Sequence, residues 1–361
     1  MFVVTVLLTR AGQLLRITRG VVILGLLCVS PMVNCAVFGV DQRISYSQTS
    51  AVEKSLVMDA MGTIVCMDGT AASGFVVDIS EYLASEADFR LVATSARALI
   101  VPETGEDRGQ CAFVPAVAPR VHLKIESYLV GSSVLEAADS NDWAFAKIPL
   151  GPGEIGAINI VFEDAYDFDR TQSSTVWNAG FDAARQSIML VRECKVDDKS
   201  HFPPLQKGQG DLAAMVIHDC DAMSGALGGP LLVSKFGGMK AIAINSGGSR
   251  DKSGHYYGVP YDPRRGFYNY SRRLDSELEN KLIAFLSRFA HLEHPTETIE
   301  ARSELVSKIQ SNLTRLGFDA GPTDGLMGVK TRDAVWAFQV TLGITPTGKI
   351  SEELLLLLEA R

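Results

Sequence analysis

The sequence predicts a mostly β protein: a long all-β region, a closing helix, and a small helical unit at the C-terminus. Three observations lead there. From Gly62 to about residue 268 the apolar runs are short and end on Gly, Pro or Asp, at the spacing of an all-β barrel or sandwich. From Leu274 the period changes, because Leu274, Leu278, Leu282, Phe285 and Phe289 fall at three- and four-residue steps on one helical face. Beyond residue 302 three further helical stretches alternate with glycines.

At the N-terminus, Arg10, Arg16 and Arg19 precede an apolar run from Gly20 to Ser30 that Pro31 ends. The run is short for a membrane span and has the length of the hydrophobic stretch of an export signal. Residues 1–36 are therefore read as a signal peptide, with an uncleaved anchor as the alternative. Asn34 is a poor neighbour for a lipidated Cys35. Loss of the signal removes Cys28 and Cys35 and leaves Cys66, Cys111, Cys194 and Cys220. An even cysteine number in an exported chain favours disulfides, in any of three pairings, over free buried thiols. No Cys-x-x-Cys or His-Glu-x-x-His spacing occurs, so neither a metal nor another cofactor is expected. With 34 Lys+Arg against 42 Asp+Glu and no basic block, nucleic acid is not an expected partner. A chain of 361 residues, 47% hydrophobic, has room for two or three cores.

Residues 37–54 read as a polar lead segment. Gly62–Cys66 and Ser73–Val77 then read as neighbouring strands, with Asp68-Gly69 as turn material between them. After the helix that begins near Leu274, residues 291–301 are polar, contain Pro295, and read as a linker.

The run Gly225-Ala226-Leu227-Gly228-Gly229-Pro230, followed by Leu231-Leu232-Val233, resembles the nucleophile loop of trypsin-like serine proteases, Gly-x-Ser-Gly-Gly-Pro before an apolar strand. Leu227 stands in the place of the serine. Leu91-Val92-Ala93-Thr94-Ser95-Ala96-Arg97 resembles their Thr-Ala-Ala-His segment, with Arg97 in the place of the histidine. Asn141-Asp142-Trp143-Ala144-Phe145 resembles the segment that carries the aspartate, and Ala241–Gly248 the strand that walls the substrate pocket. The His218-Asp219-Cys220-Asp221 lead-in is closer to bacterial, glutamyl-endopeptidase-like members. The resemblance covers residues 55–290 and implies two six-stranded β-barrels with a closing helix. It also favours Cys66–Cys111 and Cys194–Cys220, since each bridge then stays within one half of the region.

On this resemblance Arg97, Asp142 and Leu227 are degenerate triad positions, and the N–H groups of Gly225 and Leu227 a vestigial oxyanion hole. Acyl transfer needs a nucleophile, a base with a pKa near 7 and an orienting carboxylate. A guanidinium has no acceptor and stays protonated. A leucine has nothing that can attack. The expectation is a pseudoprotease, with Arg97 forming a bidentate pair with Asp142 in place of the imidazole. The alternative is an active endopeptidase whose catalytic residues have moved, to Ser224 or Ser95 with one of His122, His201, His218 or His255.

Residues 302–361 carry Ile309-Gln310, Leu313, Leu316-Gly317-Phe318, Asp324-Gly325, Gly328, Thr331, Ala334-Val335, Phe338-Gln339, Gly343 and Gly348. This pattern resembles the peptidoglycan-binding domain of bacterial cell-wall proteins. Asp324, Gly325, Gly328, Thr331, Phe338 and Gln339 are the motif positions, most of them core or turn residues. The resemblance implies peptidoglycan as a partner and an exported, wall-associated location. The barrel cleft could hold a peptide or protein strand through main-chain hydrogen bonds alone.

Overall fold

The computed structural model of the chain describes residues 36–361, apart from 81, 84–86, 134, 136–139, 163–174, 197–213, 236–237, 249–256, 263–266, 290–294, 345, 347 and 349. The stretch read as a signal peptide, with Cys28 and Cys35, lies outside the described residues except for Ala36, and so do His201 and His255.

The first barrel is built from β1 (Met61–Cys66), β2 (Ala71–Val77), β3 (Phe89–Thr94), β4 (Cys111–Pro115), β5 (Leu123–Lys124 and Ser127–Val130, one bent strand) and β6 (Ala144–Pro149). The antiparallel order runs β4-β1-β2-β3-β6-β5. The first part of β5 pairs back to β4, Leu123 with Phe113, so the sheet closes. These strands are buried on both faces because alternate side chains serve two cores. Ile64, Val76, Val92, Phe113, Ala146 and Ile148 fill the barrel interior. Phe75, Leu91, Ala93 and Phe145 point outward, into a core shared with the second barrel.

The second barrel comprises β7 (Thr175–Asp182), β8 (Ser187–Lys195), β9 (Met215–His218), β10 (Pro230–Lys235), β11 (Gly238–Gly248) and β12 (Asn269–Arg273). Its order is β9-β12-β11-β10-β7-β8. The end strands meet through a Val196–His218 bridge, the Asp219 N–H donating to Lys195 O at 3.1 Å, and the Cys194–Cys220 disulfide. Val176, Val191, Val216, Leu231, Val233 and Ile242 fill its interior. The other disulfide, Cys66–Cys111, joins β1 to β4. Both bridges are therefore the expected ones, each within one barrel.

Helix α1 (Ser276–Leu286) closes the domain, burying Leu278, Leu282, Phe285 and Leu286 in the shared core. Asp275 caps it by accepting from the Leu278 N–H at 3.1 Å. Helices α2 (Pro295–Arg315), α3 (Val329–Thr341) and α4 (Glu352–Glu359) form the C-terminal module around Ile309, Leu313, Val335, Phe338, Leu354 and Leu358.

Two readings need revision. The stretch read as a linker is helical from Pro295 onward. A proline is tolerated in the first helical turn, where its missing N–H would have no partner in any case. The lead segment is not a passive tail. Val37–Phe38 pairs in parallel with Tyr257–Val259, and Ile44–Ser45 adds to the free edge of β8. Ala36 and Val37 are fully buried. Two-residue strands are too short to carry a periodic signal, so only tertiary pairing reveals them.

Candidate functional site

Asp142 enters β6 at the wall between the barrels and is fully buried. Its Oδ1 accepts from Ser95 Oγ at 2.6 Å and from the Arg97 N–H at 3.1 Å, while Oδ2 accepts from Arg97 Nε at 2.9 Å. All three partners are donors, as an ionised carboxylate requires. Burial pushes the Asp142 pKa up, opposed by the Arg97 guanidinium, the Ser95 hydroxyl and the Arg97 amide. Arg97 lies in a single 3-10 turn, Ala96–Ala98, directly after β3. That turn aims both its main-chain N–H and its side chain at the same carboxylate. The grip thus combines one guanidinium nitrogen with the main chain, rather than the two-nitrogen fork expected from sequence. Arg97 keeps only 10% of its side chain exposed.

Leu227 sits in the turn that leads into β10. Gly225 at φ +98° and Gly228 at φ +87° give that turn a path L-residues avoid. Gly228 also allows close approach of the two barrels: a Cβ there would lie 2.3 Å from Ser73 O and 2.7 Å from Ser95 N. The Ser73 N–H donates to Leu227 O at 2.8 Å, and Ser73 Oγ donates to Gly225 O at 2.7 Å. On the far side the Gly228 N–H donates to Asn245 O at 2.8 Å. The structure therefore brings the turn bearing Leu227 against the segment bearing Arg97 and Asp142. The Leu227 side chain is half-buried and packs on Ala222 and Ala226. Among the described residues no acceptor is bonded to the N–H of Gly225 or of Leu227.

The residues considered for a displaced site are placed elsewhere. Ser95 is fully buried and engaged by Asp142. Ser224 precedes the glycine turn, its carbonyl accepting from the Ala183 N–H at 3.0 Å. His218 is fully buried in β9, with Nε2 2.9 Å from Ser271 Oγ, and burial pushes its pKa down to about 3. His122 is exposed, outside the cleft segments. None of these four is brought together with another as a nucleophile–base pair.

One feature was not read from sequence. Asp221 accepts from the Phe38 N–H at 2.7 Å and the Gln42 N–H at 2.9 Å. Burial raises its pKa, and those two donors oppose the rise. Arg43 forks onto Asp41 with 2.8 Å bonds from Nε and Nη2, and its Nη1 reaches Asp182 at 2.8 Å. Hydrogen bonding by Arg43 holds the Asp41 carboxyl well below the usual carboxylate range. Asn269 takes the Ala36 N–H on Oδ1 at 2.8 Å and donates through Nδ2 to Ala36 O and Cys220 O. The lead segment is thereby clamped to the loop before Leu227. No local spacing signalled this, since the partners lie more than 170 positions away.

In the C-terminal module the motif residues are mainly scaffold. Phe338 is core and meets Phe318 edge-on, Gln339 Oε1 accepts from the Gly348 N–H at 2.9 Å, and Thr331 Oγ1 donates to Ala320 O at 2.8 Å. Asp324 Oδ1 accepts from the Leu326 N–H at 2.9 Å. Gly325 is buried and Gly328 caps α3.

Two closed six-stranded barrels and a closing helix give a domain of trypsin-like fold, followed by a small helical module. Residues 302–358 of that module match the family described as "Putative peptidoglycan binding domain". Similar solved structures include the protease Anisep from Arthrobacter nicotinovorans, at 16% identity and TM-score 0.42, covering 62% of this chain and 94% of that one. A Glu endopeptidase is similar at 12% identity and TM-score 0.48, over 69% and 98% of the two chains. A thermostable serine protease from an extremophilic microorganism is similar at 16% identity and TM-score 0.41, over 62% and 94%. At these identities the likeness concerns the backbone and says nothing of activity. No curated protein matches the chain in sequence.

Proposed function

We propose that this is an exported, cell-wall-associated pseudoprotease, held to peptidoglycan by its C-terminal domain and using the trypsin-like domain as a binding scaffold. The observation that carries the reading is the occupation of Asp142 by Arg97. A carboxylate that would orient a base is engaged instead by a cation that cannot accept a proton. Leu227 offers no nucleophile beside it. In a related mechanism, losing the serine or the histidine alone lowers turnover by about 10⁶, and losing both lowers it little further. Two disulfides support an oxidising compartment. The cleft retains a role for a peptide or protein strand, which docks by main-chain hydrogen bonds.

Two measurements test this. A fluorophosphonate probe should leave the purified chain unlabelled; stoichiometric adduct on Ser95 or Ser224 would establish instead a serine endopeptidase with displaced residues. The full chain should sediment with insoluble peptidoglycan, and a chain ending near Glu300 should stay in the supernatant. Equal sedimentation of the two would remove the tethering role.

A further inference from the structure

We propose that peptidoglycan is held in the groove between α1 and the 324–328 loop, so that the trypsin-like domain supplies one wall of the glycopeptide site. This rests on the tethering reading above and assigns its contact residues.

The loop is built for display. Gln310, only 1% exposed, ties it to α3: Nε2 donates to Asp324 Oδ1 at 3.0 Å, Leu326 O at 2.9 Å and, in α3, Thr331 Oγ1 at 3.0 Å, and Oε1 accepts from the Gly325 N–H at 3.0 Å. Gly325, at φ +73°, lies against α2 so closely that a Cβ would fall 2.8 Å from Ser303 O. The motif residues Asp324, Gly325 and Thr331 are thus consumed in holding the loop. What the loop presents is Leu326, 48% exposed, and the half-buried Met327. An apolar side chain fixed in an exposed position by a fully satisfied polar hub is a contact residue in waiting.

Leu326, Met327 and Ser303 line one side of a groove of about 260 Å³, and Glu279, Asn280 and Ile283 of α1 line the other. The volume sits just below the range of roughly 300–1,000 Å³ for small-molecule sites, so the groove takes one N-acetyl sugar or a short stem-peptide segment of the repeating unit rather than a length of polymer. Its lining is mixed: an apolar part that includes Ile283, Leu326 and Met327, and an amide, a carboxylate and two hydroxyls beside it. That composition suits an amide-bearing muropeptide unit. Its N-acetyl and alanyl methyls match the apolar part, and its amides and hydroxyls match Asn280, Glu279 and Ser303. Among the described residues no lysine or arginine lines the groove and Glu279 does, so the groove suits the amides, hydroxyls and methyls of a muropeptide rather than its carboxylates or a phosphate-rich wall polymer.

The test uses the full chain and insoluble peptidoglycan, with two variants whose folding is checked by thermal melting. Asn280→Trp, on the exposed face of α1, fills the groove from the trypsin-like side; Leu326→Asp removes the apolar contact from the module side. Both should raise the peptidoglycan concentration needed for half-sedimentation at least tenfold, with Tm within 2 °C of the parent by about the scale of surface changes. Loss in Leu326→Asp alone would overturn the shared site and leave the module as the sole binder. Unchanged sedimentation of both would remove the groove altogether. Failure of the parent chain to sediment would instead overturn the tethering reading, and this proposal with it.

Discussion

Replacing Arg97 by alanine should destabilise the trypsin-like domain by about 3–5 kcal/mol, the penalty of leaving one partner of a buried ion pair alone. For a domain of this size that is a fall in Tm of about 6–20 °C, taking roughly 2–4 °C per kcal/mol. The size follows from the setting of Asp142, which has no exposed surface and whose Oδ2 accepts from the Arg97 side chain. In the variant, Ser95 Oγ still serves Oδ1, but nothing cationic opposes burial. The carboxyl pKa, already raised by burial, rises further. The sign of the pH dependence is then fixed. A carboxyl with a raised folded pKa favours the folded state at low pH, and that support is lost as pH climbs from the unfolded pKa through the folded one. The deficit of Arg97→Ala should therefore be smaller near pH 4 than at pH 7. Adding Asp142→Asn to the same chain removes the stranded charge and should return part of the loss. A melting temperature within 1 °C of the parent at neutral pH would show that the pair holds nothing together.

How much of this was legible beforehand differs between the parts. The all-β character was legible because Gly, Pro and Asp break the chain at strand length, which fits a barrel or a sandwich alike; the two barrels came from the resemblance of the segments at Arg97, Asp142 and Leu227. The three helices of the module were legible from period alone, through Ile309, Leu313, Phe338 and Leu354. The donors on Asp142 were less so. Sequence placed Arg97 near Asp142, but the use of the Arg97 main-chain N–H depends on the 3-10 turn that follows β3. The clamp on the lead segment could not be read at all. Asp221, Asn269 and Arg43 are ordinary polar residues in sequence, and they acquire meaning only when barrel closure brings residues 36–43 to the loop before Leu227.

On the pseudoprotease reading proposed above, that clamp gives the turn at Leu227 a role other than catalysis. The loop before Leu227 is tied by Cys194–Cys220 to β8, by Asn269 to β12 and by Asp221 to the lead segment. Ser73 ties the turn itself to the first barrel, donating to Gly225 O while accepting from the Phe181 N–H at 2.7 Å. Four independent anchors hold a turn whose side chain is a leucine. On the same reading, such rigidity would suit a surface that presents a fixed shape to a partner, because a preordered surface loses less conformational entropy on binding.

Acid should unfold the second barrel through His218. This residue stands at the end of β9, one position before the anchored loop, and has no exposed surface. Burial pushes its pKa from 6.5 down to about 3, and among the described residues its Nδ1 has no hydrogen-bond partner to welcome a proton. The unfolded chain takes up that proton near pH 6.5 while the folded chain resists it. Stability attributable to the neutral ring is therefore complete above pH 6.5 and is lost as pH falls toward 3, at about 1.4 kcal/mol per pH unit. Over the whole interval this amounts to about 5 kcal/mol, a large share of the roughly 5–15 kcal/mol that keeps a domain folded. Carboxylates with lowered pKa, such as Asp68 and Glu277, also lose their contribution in acid, so the parent curve alone does not isolate the histidine. The comparison with His218→Gln does. The amide cannot charge, and the Tm difference between parent and variant should shrink steadily as pH falls from 6.5 to 4, with the variant overtaking if its neutral-pH loss is under about 3 kcal/mol. Parallel curves across that interval would mean that His218 takes up its proton in the folded state as readily as in the unfolded one, and that the strand entering the loop does not depend on an uncharged ring.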